Sequence, residues 1–170
     1  IQSIFNNIPT QLSLNIDDSV KRFKFKDVIE KKTRYQDLSG PINWLDKCKL
    51  LSKCHPIDTT PSSPLSALTK DNRFKLFLFD VGLLNHMLEL SYKELRDQGF
   101  NYKGYIAENF VQNELIAANG SSTYSWEYAR SEIEFLLKKD DGQIVPVEVK
   151  SGKRTRAKSL GVYVDRYNPV

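Results

Sequence analysis

The chain holds 170 residues, 40% hydrophobic and 27% charged, which is enough for one large domain or two small ones with apolar cores. Lys and Arg number 25 against 21 Asp and Glu, a net +4 that permits an anionic partner without requiring one. No apolar run reaches the roughly 20 residues of a membrane span, and no basic-then-apolar leader opens the chain, so a cytoplasmic protein with no membrane partner is expected.

A start at Ile1 rather than methionine predicts a piece of a longer protein. The two cysteines, Cys48 and Cys54, follow no framework, and Cys54-His55 lacks a second pair at zinc spacing. Reduced thiols are therefore expected in place of a disulfide or a metal site.

Ile4, Phe5, Ile8 and Leu12 fall near helical spacing around Pro9, which predicts a first helix with a kink or break. Phe23, Phe25, Val28 and Ile29 predict a short second helix ending near Lys31. Tyr35, Leu38, Ile42, Leu45 and Cys48 predict a third, weakened locally by Gly40-Pro41. Residues 50–57 read as a strand. Three helices and a strand within residues 1–60 form a winged-helix-like segment, a shape that serves DNA reading and purely structural roles alike.

The Thr, Ser and Pro content of residues 58–66 marks a linker, taken as 61–73, before a second domain over 74–170. Residues 74–79 are strand-prone, and Asp80 suits the cap of a helix from Val81 to Leu90. His86 in that helix has no partner at ligand spacing. Residues 104–118 form a clear helix, with Ile106, Ala107, Phe110, Val111 and Leu115 as its apolar side. Glu108 lies toward that side, so it needs either a partner or an edge position that bends into water. A strand over 122–128 follows.

Residues 131–152 then read as two strands joined by a tight turn at Asp141-Gly142, whose positive φ values suit a two-residue hairpin loop. Alternation puts Glu132, Glu134 and Leu136 on one face of the first strand and Ile133, Phe135 and Leu137 on the other. Glu148 and Lys150 share a face of the second strand. Two carboxylates beside an ammonium can hold Mg²⁺ and orient a water, or can be the solvated face of an ordinary hairpin. Lys153, Arg154, Arg156 and Lys158 follow as a basic stretch. The last apolar pattern, from Leu160 to Tyr167, is helical or mixed.

The order of a helix with Glu108, a strand, a strand with Glu134, Glu148-Val149-Lys150 and a basic turn before a last helix resembles the PD-(D/E)XK, or restriction-endonuclease-like, core. The wider set of residues 74–84, 107–115, 132–135 and 147–152 resembles the uncharacterised C-terminal domain of bacterial and archaeal AAA-type ATPases. That resemblance implies an α/β fold, a mixed sheet flanked by helices behind a winged-helix segment, and an N-terminal ATPase domain as partner in the parent chain. It also implies a catalytic set of Glu134, Glu148, Lys150 and Glu108, with Glu134 and Glu148 as ligands of Mg²⁺. DNA or another nucleic acid would meet Lys153, Arg154, Arg156 and Lys158.

Glu134 stands where nuclease members typically carry Asp, and the extra methylene displaces the oxygens from Mg²⁺ geometry. No Gly-x-x-x-x-Gly-Lys-Ser/Thr segment occurs, so any ATP site belongs to the parent. The expected function is an accessory module, nucleic-acid-associated or regulatory, with a degenerate nuclease site. The alternatives are an active Mg²⁺-dependent nuclease and a protein-interaction domain without catalysis.

Overall fold

The computed structural model of the chain describes residues 1–13, 21–96, 103–120, 122–151 and 157–168. Among them are helices α1 (Gln2–Ser13), α2 (Tyr35–Lys47), α3 (Val81–Met87), α4 (Tyr92–Arg96), α5 (Lys103–Asn119) and α6 (Lys158–Tyr167), and strands β1 (Leu51–Ile57), β2 (Lys75–Leu78), β3 (Thr123–Tyr128), β4 (Ser131–Lys138) and β5 (Ile144–Val147). The five strands form one mixed sheet in the order β2-β1-β3-β4-β5. Only β1 and β3 run parallel.

The N-terminal part departs from a simple helical reading. Helix α1 runs through Pro9 and buries Ile4 and Ile8, and α2 buries Leu38, Ile42 and Leu45 as their spacing predicts. The short helix expected over Phe23 to Lys31 is absent. Residues 21–25 have no regular secondary structure, because the Phe23 N–H bonds the Phe74 carbonyl at 2.9 Å, and Phe23 and Phe25 join Tyr35 and Phe74 in an aromatic cluster. Two helices and a strand thus stand where the sequence predicts three helices and a strand.

Strand β1 lies inside the sheet, with Cys54 opposite Lys75 of β2 on one side and opposite Thr123 of β3 on the other. Alternation then fixes the faces. Ser52, Cys54, Lys75 and Thr123 look toward α5, while Leu51 and Lys53 look toward α2. Trp126, Ile133 and Leu136 pack with Tyr163 of α6 on that second face. Asp80 caps α3 by accepting the Leu83 N–H at 2.6 Å. Asn168 ends α6 in the left-handed region.

Two local departures in the last hairpin matter for the site. Tyr124 pairs with Leu136 but Trp126 pairs with Ile133, so β4 carries one extra residue between them. This bulge flips the alternation. Phe135 joins the cluster with Phe77, whereas Leu136 joins Ile133 around Trp126, reversing the expected placement of Leu136. The turn is a three-residue loop rather than a two-residue one: Lys139 N–H bonds the Gln143 carbonyl at 2.8 Å, and Gly142 alone of the Asp141-Gly142 pair has positive φ. Strand β5 is the sheet edge, where Pro146 costs no ladder bond to an outer neighbour.

Candidate functional site

The centre of the site is the contact between α5 and the sheet, and it is polar. The buried residues of α5 are Gly104, Tyr105, Glu108, Asn109 and Gln112, one stripe at helical spacing. The side expected to be buried is not: Phe110 is 54% exposed, and Ile106, Ala107, Val111 and Leu115 are half-buried. The reversal has a cause in partners. The Asn109 amide accepts the Leu78 N–H at 3.0 Å and donates to the Leu78 carbonyl at 2.9 Å, so it completes the end of edge strand β2. Gln112 donates to Ser52 Oγ at 2.9 Å and accepts from Thr123 Oγ1 at 2.7 Å. A buried polar face is stable only when matched in this way.

Glu108 is matched by a lysine. Lys75 Nζ lies 3.7 Å from Glu108 Oε2, with the residues 1% and 1% exposed. The same ammonium contacts Glu132 Oε1. Burial pushes the Lys75 pKa down, but the charges of Glu108 and Glu132 outweigh it and hold it above the usual lysine value. Lys75 is the residue that sequence reasoning missed. Its one signal was its position, a lone cation in the apolar run 74–79, inside a strand buried along its whole length.

The carboxylates of the hairpin come next to this pair. Phe135 faces Val147, and the same register continued by one step sets Glu134 opposite Glu148. Glu134 is 6% exposed and accepts the Val149 N–H at 3.1 Å. Burial raises its pKa, and the bond from Val149 and the charges of Lys150 and Lys75 only partly offset that. Glu148 Oε1 lies 2.7 Å from Lys150 Nζ. Burial lowers the Lys150 pKa, but the Glu148 hydrogen bond and the charges of Glu134, Glu148 and Glu108 leave it raised.

Lys150 thus feels the charges of Glu108, Glu134 and Glu148, and Lys75 those of Glu108 and Glu132 while acting on Glu134. Cys54, opposite Lys75, is an inert thiol whose pKa burial pushes up to about 11. Lys153, Arg154 and Arg156 lie outside the described residues, and Lys158 opens α6 as an exposed residue. Among the described residues, no three His, Cys, Asp or Glu side chains are grouped to hold a metal ion. No helix among them is long and apolar enough to cross a membrane.

Fold and site together define a mixed α/β protein whose central sheet and covering helix enclose an ion-paired polar centre. Residues 1–94 match the family model described as a domain of unknown function, DUF8612, over more than half of the chain, and the protein belongs to that family. Residues 103–169 match a second model, DUF4143, also described as a domain of unknown function. No curated protein and no solved structure matches the chain.

Proposed function

We propose that the chain is an accessory module of a larger AAA-type ATPase, nucleic-acid-associated or regulatory, whose restriction-endonuclease-like site is held together by ion pairs and does not cleave. The observation that carries this reading is Lys75. A buried ammonium sits among the carboxylates, paired to Glu108 and Glu132 and acting on Glu134. Glu148 is engaged by Lys150, and Glu134 by the Val149 N–H.

Mg²⁺ wants several open oxygen donors in octahedral geometry. The acidic residues here fit it poorly as they stand, since Glu108 and Glu132 are paired to Lys75, Glu148 Oε1 to Lys150 and Glu134 Oε2 to the Val149 N–H, which leaves the buried Glu148 Oε2 without a hydrogen-bond partner. Lys75 supplies the positive charge that a divalent ion would bring, so the network keeps the nuclease shape without its chemistry. ATP binding, and the coupling to it, belong to the parent chain's N-terminal domain.

The test is calorimetric titration of Mg²⁺ and Mn²⁺ into the folded chain, alongside cleavage assays on single- and double-stranded DNA with Glu148→Ala and Lys150→Ala. No saturable metal binding and no cleavage are expected. Metal-dependent cleavage that disappears in both variants would replace this reading with that of an active nuclease.

A further inference from the structure

A second feature lies at the corner where β3 turns into β4. A cavity of about 520 Å³ opens there between segment 21–24 and the turn at Ala129-Arg130. Lys21, Arg22, Lys24 and Arg130 surround it, all exposed. Its two acidic residues are Glu127 and Glu132.

Each acid has an inner partner that it shares with a second carboxylate, Arg73 with Asp58 and Lys75 with Glu108. Arg73 Nη2 binds Glu127 Oε2 at 2.8 Å, and the buried Lys75 binds Glu132. Two rim cations complete the pairing at the surface, Arg22 with Glu127 at 3.4 Å and Lys21 with Glu132 at 3.7 Å. The rim still carries four cations against two acids: among the described residues Lys24 and Arg130 are in no ion pair, and the pairs of Lys21 and Arg22 are exposed and weak enough to exchange for another anion.

The rim is also fixed in place. Phe23 is buried and bonded through its N–H to Phe74, while the Gln11 amide binds both the N–H and the carbonyl of Lys24, at 2.8 and 2.7 Å. These bonds at Phe23 and Lys24 fix the backbone from which the cations project, so that the ordering cost on binding is confined to their side chains. The start of α6 is tied to the same strand, because Ser159 Oγ accepts the Glu132 N–H at 3.3 Å.

We infer that this corner is a phosphodiester-binding site, taking the backbone phosphates of a single-stranded nucleic acid through Lys21, Arg22, Lys24 and Arg130. Point-like ammonium groups and guanidinium forks spaced around one concavity match successive phosphates, and no base-reading group is required. The partner class rests on the nucleic-acid reading above. The site does not depend on whether the carboxylates hold metal.

The experiment is fluorescence anisotropy with a labelled oligothymidylate on the intact chain at 50 and 200 mM salt. The comparison is Lys21→Ala/Lys24→Ala/Arg130→Ala against a control, Lys93→Ala/Lys138→Ala. Four phosphate contacts predict about 50-fold weakening over that salt range for the wild type and the control, and about threefold for the triple variant, from a slope near 0.7 per contact. Arg130→Glu alone should weaken binding at low salt while its circular dichroism and melting stay those of the wild type, which separates contact from folding.

No wild-type binding at 50 mM salt would overturn the site and the nucleic-acid reading together. Binding left unchanged by the triple variant and by Arg130→Glu would overturn the site alone. Polyglutamate of equal charge competing as well as the oligonucleotide would overturn the choice of partner.

Discussion

Lys75 decides the character of the site because it is charged where no water reaches it. Removing one member of a buried ion pair leaves the other uncompensated, a loss of about 3–5 kcal/mol, whereas replacing both by apolar groups is near neutral. Lys75→Met should therefore cost about 3–5 kcal/mol in urea unfolding, and Lys75→Met/Glu108→Leu should recover part of it. The pH sign follows from the raised Lys75 pKa. Its contribution is complete below the ordinary lysine value of 10.5 and is lost as pH climbs through the folded-state value. The gap between wild type and Lys75→Met should be constant from neutrality to that point and shrink above it. Glu134 has the opposite consequence at neutral pH. Its carboxyl is raised above 4.5, so stability is full below that value and falls as pH rises through the folded-state pKa. Glu134→Gln keeps an acceptor for Val149 and never ionises, so it should melt higher than wild type at pH 7, with the difference gone below pH 4.5. A lower melting point at pH 7 would show that ionised Glu134 is needed by Lys150 and Lys75.

At the level of elements, the existence of most helices and strands was legible, but the side each one buries was not. Helix α5 is the clearest case. Its apolar residues predict one buried stripe, yet Glu108, Asn109 and Gln112 are the ones inside, because their partners come from β2, β1 and β3, which no local pattern contains. The bulge in β4 is similar: one extra residue leaves hydropathy untouched while moving Phe135 and Leu136 to opposite clusters. The register of the last hairpin was equally hidden: a two-residue loop at Asp141-Gly142 would set Glu134 opposite Val149, whereas the three-residue loop runs the ladder from Lys138–Ile144 to Phe135–Val147 and so directs Glu134 toward Glu148. The amide of Asn109 provides a test of the polar stripe. Asn109→Leu removes two buried hydrogen bonds and leaves Leu78 N–H and carbonyl unsatisfied, which should cost about 1–3 kcal/mol. Hydrogen exchange at the Leu78 amide should accelerate by more than at its β2 neighbours. A uniform change along β2 would instead mean that the substitution loosens the whole edge.

The whole molecule is organised by a pairing between distant parts of the chain. Strands β1 and β2 come from the first half and β3 to β5 from the second, and they meet at the parallel β1–β3 ladder. A sequence reading sees the linker-like residues 58–66 and places a boundary there, because composition is local and parallel pairing across some seventy positions is not. Both cores are likewise composite: Ile4, Leu38 and Leu76 pack in one cluster with Tyr105 and Phe135, and Ile57 and Leu65 pack in the other with Trp126 and Tyr163. Arg73 adds a polar tie by binding Asp58 and Glu127 at once. Cutting the chain between residues 96 and 103 would expose the edges of β1 and β3 and strip each core of a wall, and two- or three-stranded remnants of that kind are marginal in water. Fragments 1–96 and 97–170 should therefore give collapsed NMR amide spectra separately, regain dispersion when refolded together, and the intact chain should melt in one transition by far-ultraviolet and tryptophan signals alike. A fragment 97–170 that shows a dispersed spectrum by itself would mean that β3 to β5 with α5 and α6 close a core of their own. In that case the β1–β3 ladder would be a docking contact between two folded units, and the ion pairs of Lys75 with Glu108 and Glu132 would be an interface between them.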